Sequence, residues 1–131
     1  MSSASSPSAT IPAKLFFPEG LVGLPNLVHH LLANIPDSSL YEMMCADEPT
    51  IGFIAAAAED VKPGITHLLM ERGLMAEGEW ALVLLAVHGE PPAVTANLAG
   101  PIVIKMSDAT ARQLVLEDPE FPLQAPLPVA G

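Results

Sequence analysis

The groups in this chain able to ligate a metal, act as a nucleophile or exchange protons are few. They are His29, His30, His67 and His88, the single cysteine Cys45, and carboxylates gathered near turns, among them Asp47, Glu48, Glu59, Asp60 and Glu71. If residues 27–33 form a strand, His29 and His30 point to opposite faces and cannot share one ion. With His67 and His88 far away and no acidic partner at zinc spacing, no metal site is expected, and one of the adjacent pair should be buried and the other exposed. Cys45 sits in the apolar run Met43, Met44, Cys45, Ala46 and reads as a buried, inert thiol; a nucleophile would need a histidine and an orienting carboxylate brought to it by the fold. A lone cysteine also excludes an internal disulfide. Asp47 and Glu48 stand side by side, but paired carboxylates do acid–base work only when they converge on a cleft, and on a hairpin tip they are solvated. The sequence holds no phosphate loop, nucleotide fingerprint or nucleophile elbow. No catalytic residue and no cofactor are therefore expected.

The overall balance points the same way. Fifteen acidic residues stand against 5 basic ones, a formal net charge of −10. Bare nucleic acid, whose affinity comes largely from phosphate neutralisation, is a poor direct ligand for such a surface. A basic protein partner suits it, and the need of a half-apolar chain to stay soluble accounts for the charge equally well. The longest apolar runs, 51–58 and 81–87, fall well short of the roughly 20 residues that span a bilayer. Residues 1–10 have no basic or hydrophobic signal region, so the expected compartment is the cytoplasm.

The elements that would position these groups are mostly short strands. Residues 1–13, rich in Ser, Ala and Pro, are expected to be a disordered tail, residues 14–127 the domain, and residues 128–131 a frayed end, with fraying reaching back to residue 125. A strand begins at Lys14 and ends at Pro18 and Gly20; Gly20 and Gly23 flank a compact turn. Residues 27–33 fit a helix face about as well as a strand. Residues 40–46 and 51–56 read as a hairpin with Asp47, Glu48, Pro49 and Thr50 at its tip. Glu59 and Asp60 open the one helical or irregular segment, in which Ile65, Leu68, Leu69 and Arg72 share a helical face and Gly73 is the stop. Trp80 begins the longest strand, which should be central. After a loop stiffened by two prolines comes the stretch from Thr95 to Ile104, read as a polar turn launching a buried strand. There Asn97 can bond its own downstream backbone, Gly100 allows an unusual backbone angle, and Pro101 takes a position where a donor is dispensable. Ile102, Val103 and Ile104 are apolar on both faces and must be covered on both sides. A last strand over 111–116 follows, and residues 121–123 pack back. Short strands, frequent turn signals and 14 prolines argue for a sandwich or small barrel.

The pattern T-x-N-L-x-x-P-I-V-I, formed by Thr95, Asn97, Leu98, Pro101, Ile102, Val103 and Ile104 and followed by Gln113, Leu114, Val115 and Leu116, resembles the C-terminal half of the FliW family. Upstream, Phe17, Gly20 and Gly23 resemble that family's entry motif, and Phe53 stands in its apolar third strand. The sequence departs from the family pattern at Leu24, usually aromatic, at Ala56 and Ala57, where Asn-Pro is frequent, and at Lys105, where Asn is common. The resemblance implies an all-β, mainly antiparallel, compact β-barrel with at most one short helix, and it favours the strand for residues 27–33. It implies a non-enzymatic regulator of flagellar assembly that binds and antagonises the RNA-binding translational repressor CsrA, binds flagellin in a partner switch, and works as a monomer without touching nucleic acid or membrane. Asp47, Glu48, Glu59 and Asp60, placed on a hairpin tip and beside it, are the candidate partner contacts. The alternative is a β-barrel that binds a small ligand or acts as an enzyme through its interior, with some of His67, His88, Glu71 and Cys45 converging there.

Overall fold

The computed structural model describes residues 11–89 and 92–127. Its elements run β1 (Lys14–Phe16), β2 (His29–Asn34), β3 (Leu40–Cys45), β4 (Gly52–Ala57), α1 (Ala58–Val61), α2 (Ile65–Glu71), β5 (Glu79–His88), β6 (Ala93–Ala96), β7 (Ile102–Lys105), β8 (Thr110–Gln113) and β9 (Ala125–Pro126). Strands β1 to β4 pair with their neighbours as an antiparallel meander, and β4 pairs next with β5. Because β5 also pairs with β7, β7 with β8, and β8 with β1, seven strands close into a barrel. Closure removes most of the exposed sheet edge that an open sheet would have to protect. The closing contact is the one parallel pair among the described strands, and it is thin: Phe16 lies opposite Thr110 and nothing more is in register.

Strand β5 is the pivot. Its first residues pair with β7 and its middle with β4, while its end pairs with β6, so Leu82 lies opposite both Ile102 and Ala57. Period-two alternation then sorts its side chains between two cores. Trp80 and Leu82 join Leu15, Phe17, Tyr41, Met43, Ile102 and Ile104 inside the barrel. Ala81 and Val83 face outward, where Ile65, Leu69, Val103 and Phe121 form a second cluster beneath α2 and the C-terminal segment. Strand β7 meets the requirement read from its composition: Ile102, Val103 and Ile104 are all 0% exposed, divided between the two cores. Small side chains explain how a helical layer fits so closely on this wall. Ala56, Ala58 and Ala81 form the floor on which Ile65 and Leu69 rest, and bulkier residues there would lift α1 and α2 away.

Several expectations are corrected. Among the described residues there are two short helices rather than at most one. The helix over Ile65–Glu71 matches the reading, while the acidic pair Glu59 and Asp60 belongs to a separate single turn, α1. Thr95 lies in a strand, β6, and the turn begins only at Asn97. Asn97 does not bond its own downstream backbone: its N–H donates to Leu84 O at 2.9 Å, and its buried Oδ1 has no partner among the described residues. Gly100 is not among the residues with positive φ. It is glycine because a Cβ there would lie 2.9 Å from both Asn97 Nδ2 and Gln113 Nε2. The last strand ends at Gln113 rather than Leu116. Ala125 is not frayed but pairs with Ala96, and Phe121 packs back alone, since Leu123 is 63% exposed. At the other end, Ile11 packs against the barrel core and Ala13 O accepts from Leu32 N at 2.8 Å, so packing begins before Lys14. Residues 1–10 and 128–131 lie outside the described residues.

Candidate functional site

The barrel interior is filled by its own side chains, so the groups able to meet a partner are on the outside. At the tip between β3 and β4, Asp47 and Glu48 are exposed. Asp47 Oδ2 accepts from His29 N at 3.3 Å, and Glu48 Oε1 accepts from the Thr50 hydroxyl at 3.1 Å. Both bonds leave each carboxylate with free acceptor capacity toward solvent.

Glu59 has a different position from the one its sequence suggests. It is half-buried, and its two oxygens accept from Gly64 N at 2.6 Å and Thr66 N at 3.1 Å. These are donors at the start of α2, otherwise unpaired within a helix. Burial works against the Glu59 charge, but the bonds from Gly64 and Thr66 outweigh it and hold the carboxyl below its ordinary pKa. Glu59 thus clamps α1 to α2, and of this pair only Asp60 is exposed.

Beside the acidic tip lies apolar surface that no described element covers. Phe16, Leu31 and Ile54 are 42%, 44% and 38% exposed on the outer face of β1, β2 and β4. Leu31 is paired across β3 with half-buried Met44, and Phe16 stacks on His29 at 5.3 Å. The helices and C-terminal segment cover another part of the outer surface, reaching Ala56 on β4, so Phe16, Leu31 and Ile54 stay partly in water, a condition that marks interaction sites when the patch is continuous.

The residues named for an interior site do not gather. His67 and Glu71 face each other at 3.5 Å on the exposed side of α2. His88 is bonded to the Thr95 hydroxyl at 2.9 Å, and Cys45 is 1% exposed within β3. Among the described residues no three of His, Cys, Asp and Glu form a metal-binding group. The motif residues serve the architecture. Gln113 ties three segments, its Oε1 accepting from Val22 N at 2.8 Å and its Nε2 donating to Gly100 O at 3.1 Å. Leu98 is buried in the outer core, Phe53 packs on the inner one, and Gly20 and Gly23 adopt φ of 67° and 81° in the turn closed by the Leu21–Leu24 bridge.

One group that sequence reasoning placed only as half of a pair is His30. It is 0% exposed, lies edge-on to Phe17 at 4.9 Å, and neither ring nitrogen has a partner among the described residues. Burial lowers its pKa from 6.5, with Asp47 opposing the shift and His29 adding to it. The unfolded chain therefore takes up this proton first as pH falls. Stability should be full above pH 6.5 and decline below it, until the folded-state pKa is passed. Denaturant midpoints at pH 7.5 and 5.5, above the carboxylate range, should differ for the parent and coincide for His30→Leu; a parent with equal midpoints would refute the assignment.

Fold and surface define a class: a small closed β-barrel that presents its outside, rather than a cavity, to whatever it meets. Comparison with known proteins narrows the class. The family model described as FliW protein matches residues 5–127. The flagellar assembly factor FliW of Geotalea uraniireducens is 31% identical over 118 residues, 86% of this chain and 72% of that protein. That of Carboxydothermus hydrogenoformans is 29% identical over 126 residues, 87% of this chain and 78% of that one. The crystal structure of the flagellar assembly factor FliW shares the fold, with a TM-score of 0.71 at 19% identity over 87% of this chain and 84% of the other. The chain belongs to the FliW family. Among the described residues no helix is long and apolar enough to cross a membrane.

Proposed function

We propose that this protein is a non-enzymatic, monomeric, cytoplasmic regulator of flagellar assembly that binds a CsrA-type translational repressor and, in alternation, flagellin. The observation that carries this reading is the family match over residues 5–127, to which relatives named as flagellar assembly factors add. Two features of the chain support it. The acidic excess of −10 suits a body that docks beside a basic RNA-binding groove and repels phosphate over about 10 Å at 0.1 M salt. Phe16, which stacks on the His29 that bonds Asp47, and the exposed Leu31 and Ile54 offer apolar groups to a protein interface beside the acidic tip. Asp47, Glu48 and Asp60 are the contacts of this reading, while Glu59 contributes by holding α1 and α2.

The test pairs the purified protein with the CsrA of its own organism at two salt concentrations, beside the Asp47→Asn, Glu48→Gln double variant. Binding at micromolar concentration is expected, with association slowing as salt rises and dissociation changing less, and slower association for the variant. Absence of binding removes the partner; binding insensitive to salt keeps the partner and removes the acidic tip from the interface.

A further inference from the structure

The barrel is closed on paper but not along its whole height. Beyond Thr110, no described strand pairs with β8 on its β1 side, because Pro18 offers no N–H and the chain turns away at Gly20. On its other side, Leu114 N and Leu116 N donate to Pro101 O and Ala99 O at 2.8 and 2.7 Å. Successive residues of a ladder address opposite edges, so the N–H groups of Gln113 and Val115, and the carbonyls of Ala111 and Gln113, face the side that β1 has left. A groove of about 390 Å³ lies there, lined by Glu19, Leu21, Val22, Arg112, Gln113 and Val115. Val22 and Val115 are 61% and 67% exposed.

Charge selects the occupant. Arg112 is already engaged, by Glu79 at 2.8 and 3.2 Å and by Leu74 O at 2.8 Å. Glu19, exposed on the groove wall, forms no ion pair among the described residues. The uncompensated charge along the groove is therefore negative. We propose that the open edge of β8 receives an extended segment of a partner protein in which apolar and basic residues alternate, added to the barrel as a strand. Backbone groups of the segment pair with Gln113 and Val115, its apolar side chains meet Val22 and Val115, and its cations, on the alternate face, meet Glu19. An alternating row of donors and acceptors is matched in register by a peptide backbone and by few other ligands. The inference stands apart from the identity of the translational regulator, since it rests on the edge alone.

The probe is an acetylated, amidated hexapeptide of alternating Lys and Val, titrated into the isotope-labelled full chain. The amide signals of Val22, Gln113 and Val115 should shift together, and hydrogen exchange at Gln113 and Val115 should slow by about tenfold or more at saturation. The same peptide with Glu for Lys should bind about tenfold more weakly, one N-methylated at alternate amides should not bind, and Glu19→Gln should lower affinity for the Lys peptide. No shift at Gln113 and Val115 up to millimolar peptide overturns the proposal. So does equal binding of the N-methylated peptide, which would mean adsorption by charge without a strand.

Discussion

Gly20→Ala should cost about 3 kcal/mol of stability, whereas Gly23→Ala, three positions along the same turn, should cost about 1 kcal/mol. Both glycines have positive φ, 67° and 81°, so both variants carry the strain of an L side chain in the left-handed region. They differ in what the new methyl meets. At Gly20 a Cβ would lie 2.5 Å from Pro25 O and 2.6 Å from Pro25 C and Cα, while at Gly23 nothing comes within 4 Å. Backbone cannot yield as a side-chain tip does, so the turn itself must move. It is anchored by Gly20 N to Phe17 O at 2.9 Å and Phe17 N to Val28 O at 2.7 Å, and it carries Leu21, only 4% exposed, into the barrel core. The extra loss at Gly20 is the collision and the displacement of Leu21. Urea midpoints for both variants and the parent measure it; equal losses at the two positions would show that the turn absorbs the methyl freely.

Leu82→Ala should cost about 3 kcal/mol, and Val87→Ala on the same strand less than about 0.5 kcal/mol. Leu82 is 0% exposed where Val87 is 70% exposed. Leu82 lies where β5 exchanges one partner for another, opposite Ala57 on one side and Ile102 on the other. A cavity there is lined by strands held in register from both sides, so little collapse is available to fill it. A loss at Leu82 no larger than at Val87 would mean that the interior is loosely packed and that the barrel wall, not its contents, carries the stability.

How much of this was legible in the sequence depended on whether the deciding partner was local. Strands β3, β5 and β7 announce themselves as short runs rich in apolar and β-branched residues bounded by turn residues. Strand β6 did not, because Ala93, Val94, Thr95 and Ala96 hold only two strong strand formers; the hydrogen bonds that make them a strand come from β5 and β9. The turn from 97 to 100 was found, but for a reason the structure changes. Sequence suggests that Gly100 is there for its freedom, whereas Asn97, three residues back, and Gln113, thirteen residues on, supply the atoms a side chain would hit. Glu59 looked like a surface charge for the same cause, its partners Gly64 and Thr66 being set by the path between two helices. Which barrel face would remain bare was beyond local pattern altogether. Phe16, Leu31 and Ile54 look like core residues, and only the placement of α2 and the C-terminal segment elsewhere on the outer surface leaves them partly in water.

The seam between β1 and β8 bears on how the barrel is made and unmade. The bond from Val22 N to the Gln113 side chain joins positions 91 apart in the chain, and the closing register beside it is one residue pair. Hairpins such as β2–β3 and β3–β4 join close neighbours and can form early, while this closure must wait until most of the chain is in place. A contact formed after the transition state leaves the folding rate unchanged and governs the unfolding rate. Weakening that strand pair or the glutamine amide is therefore expected to speed the opening of the barrel while leaving its folding rate nearly unchanged.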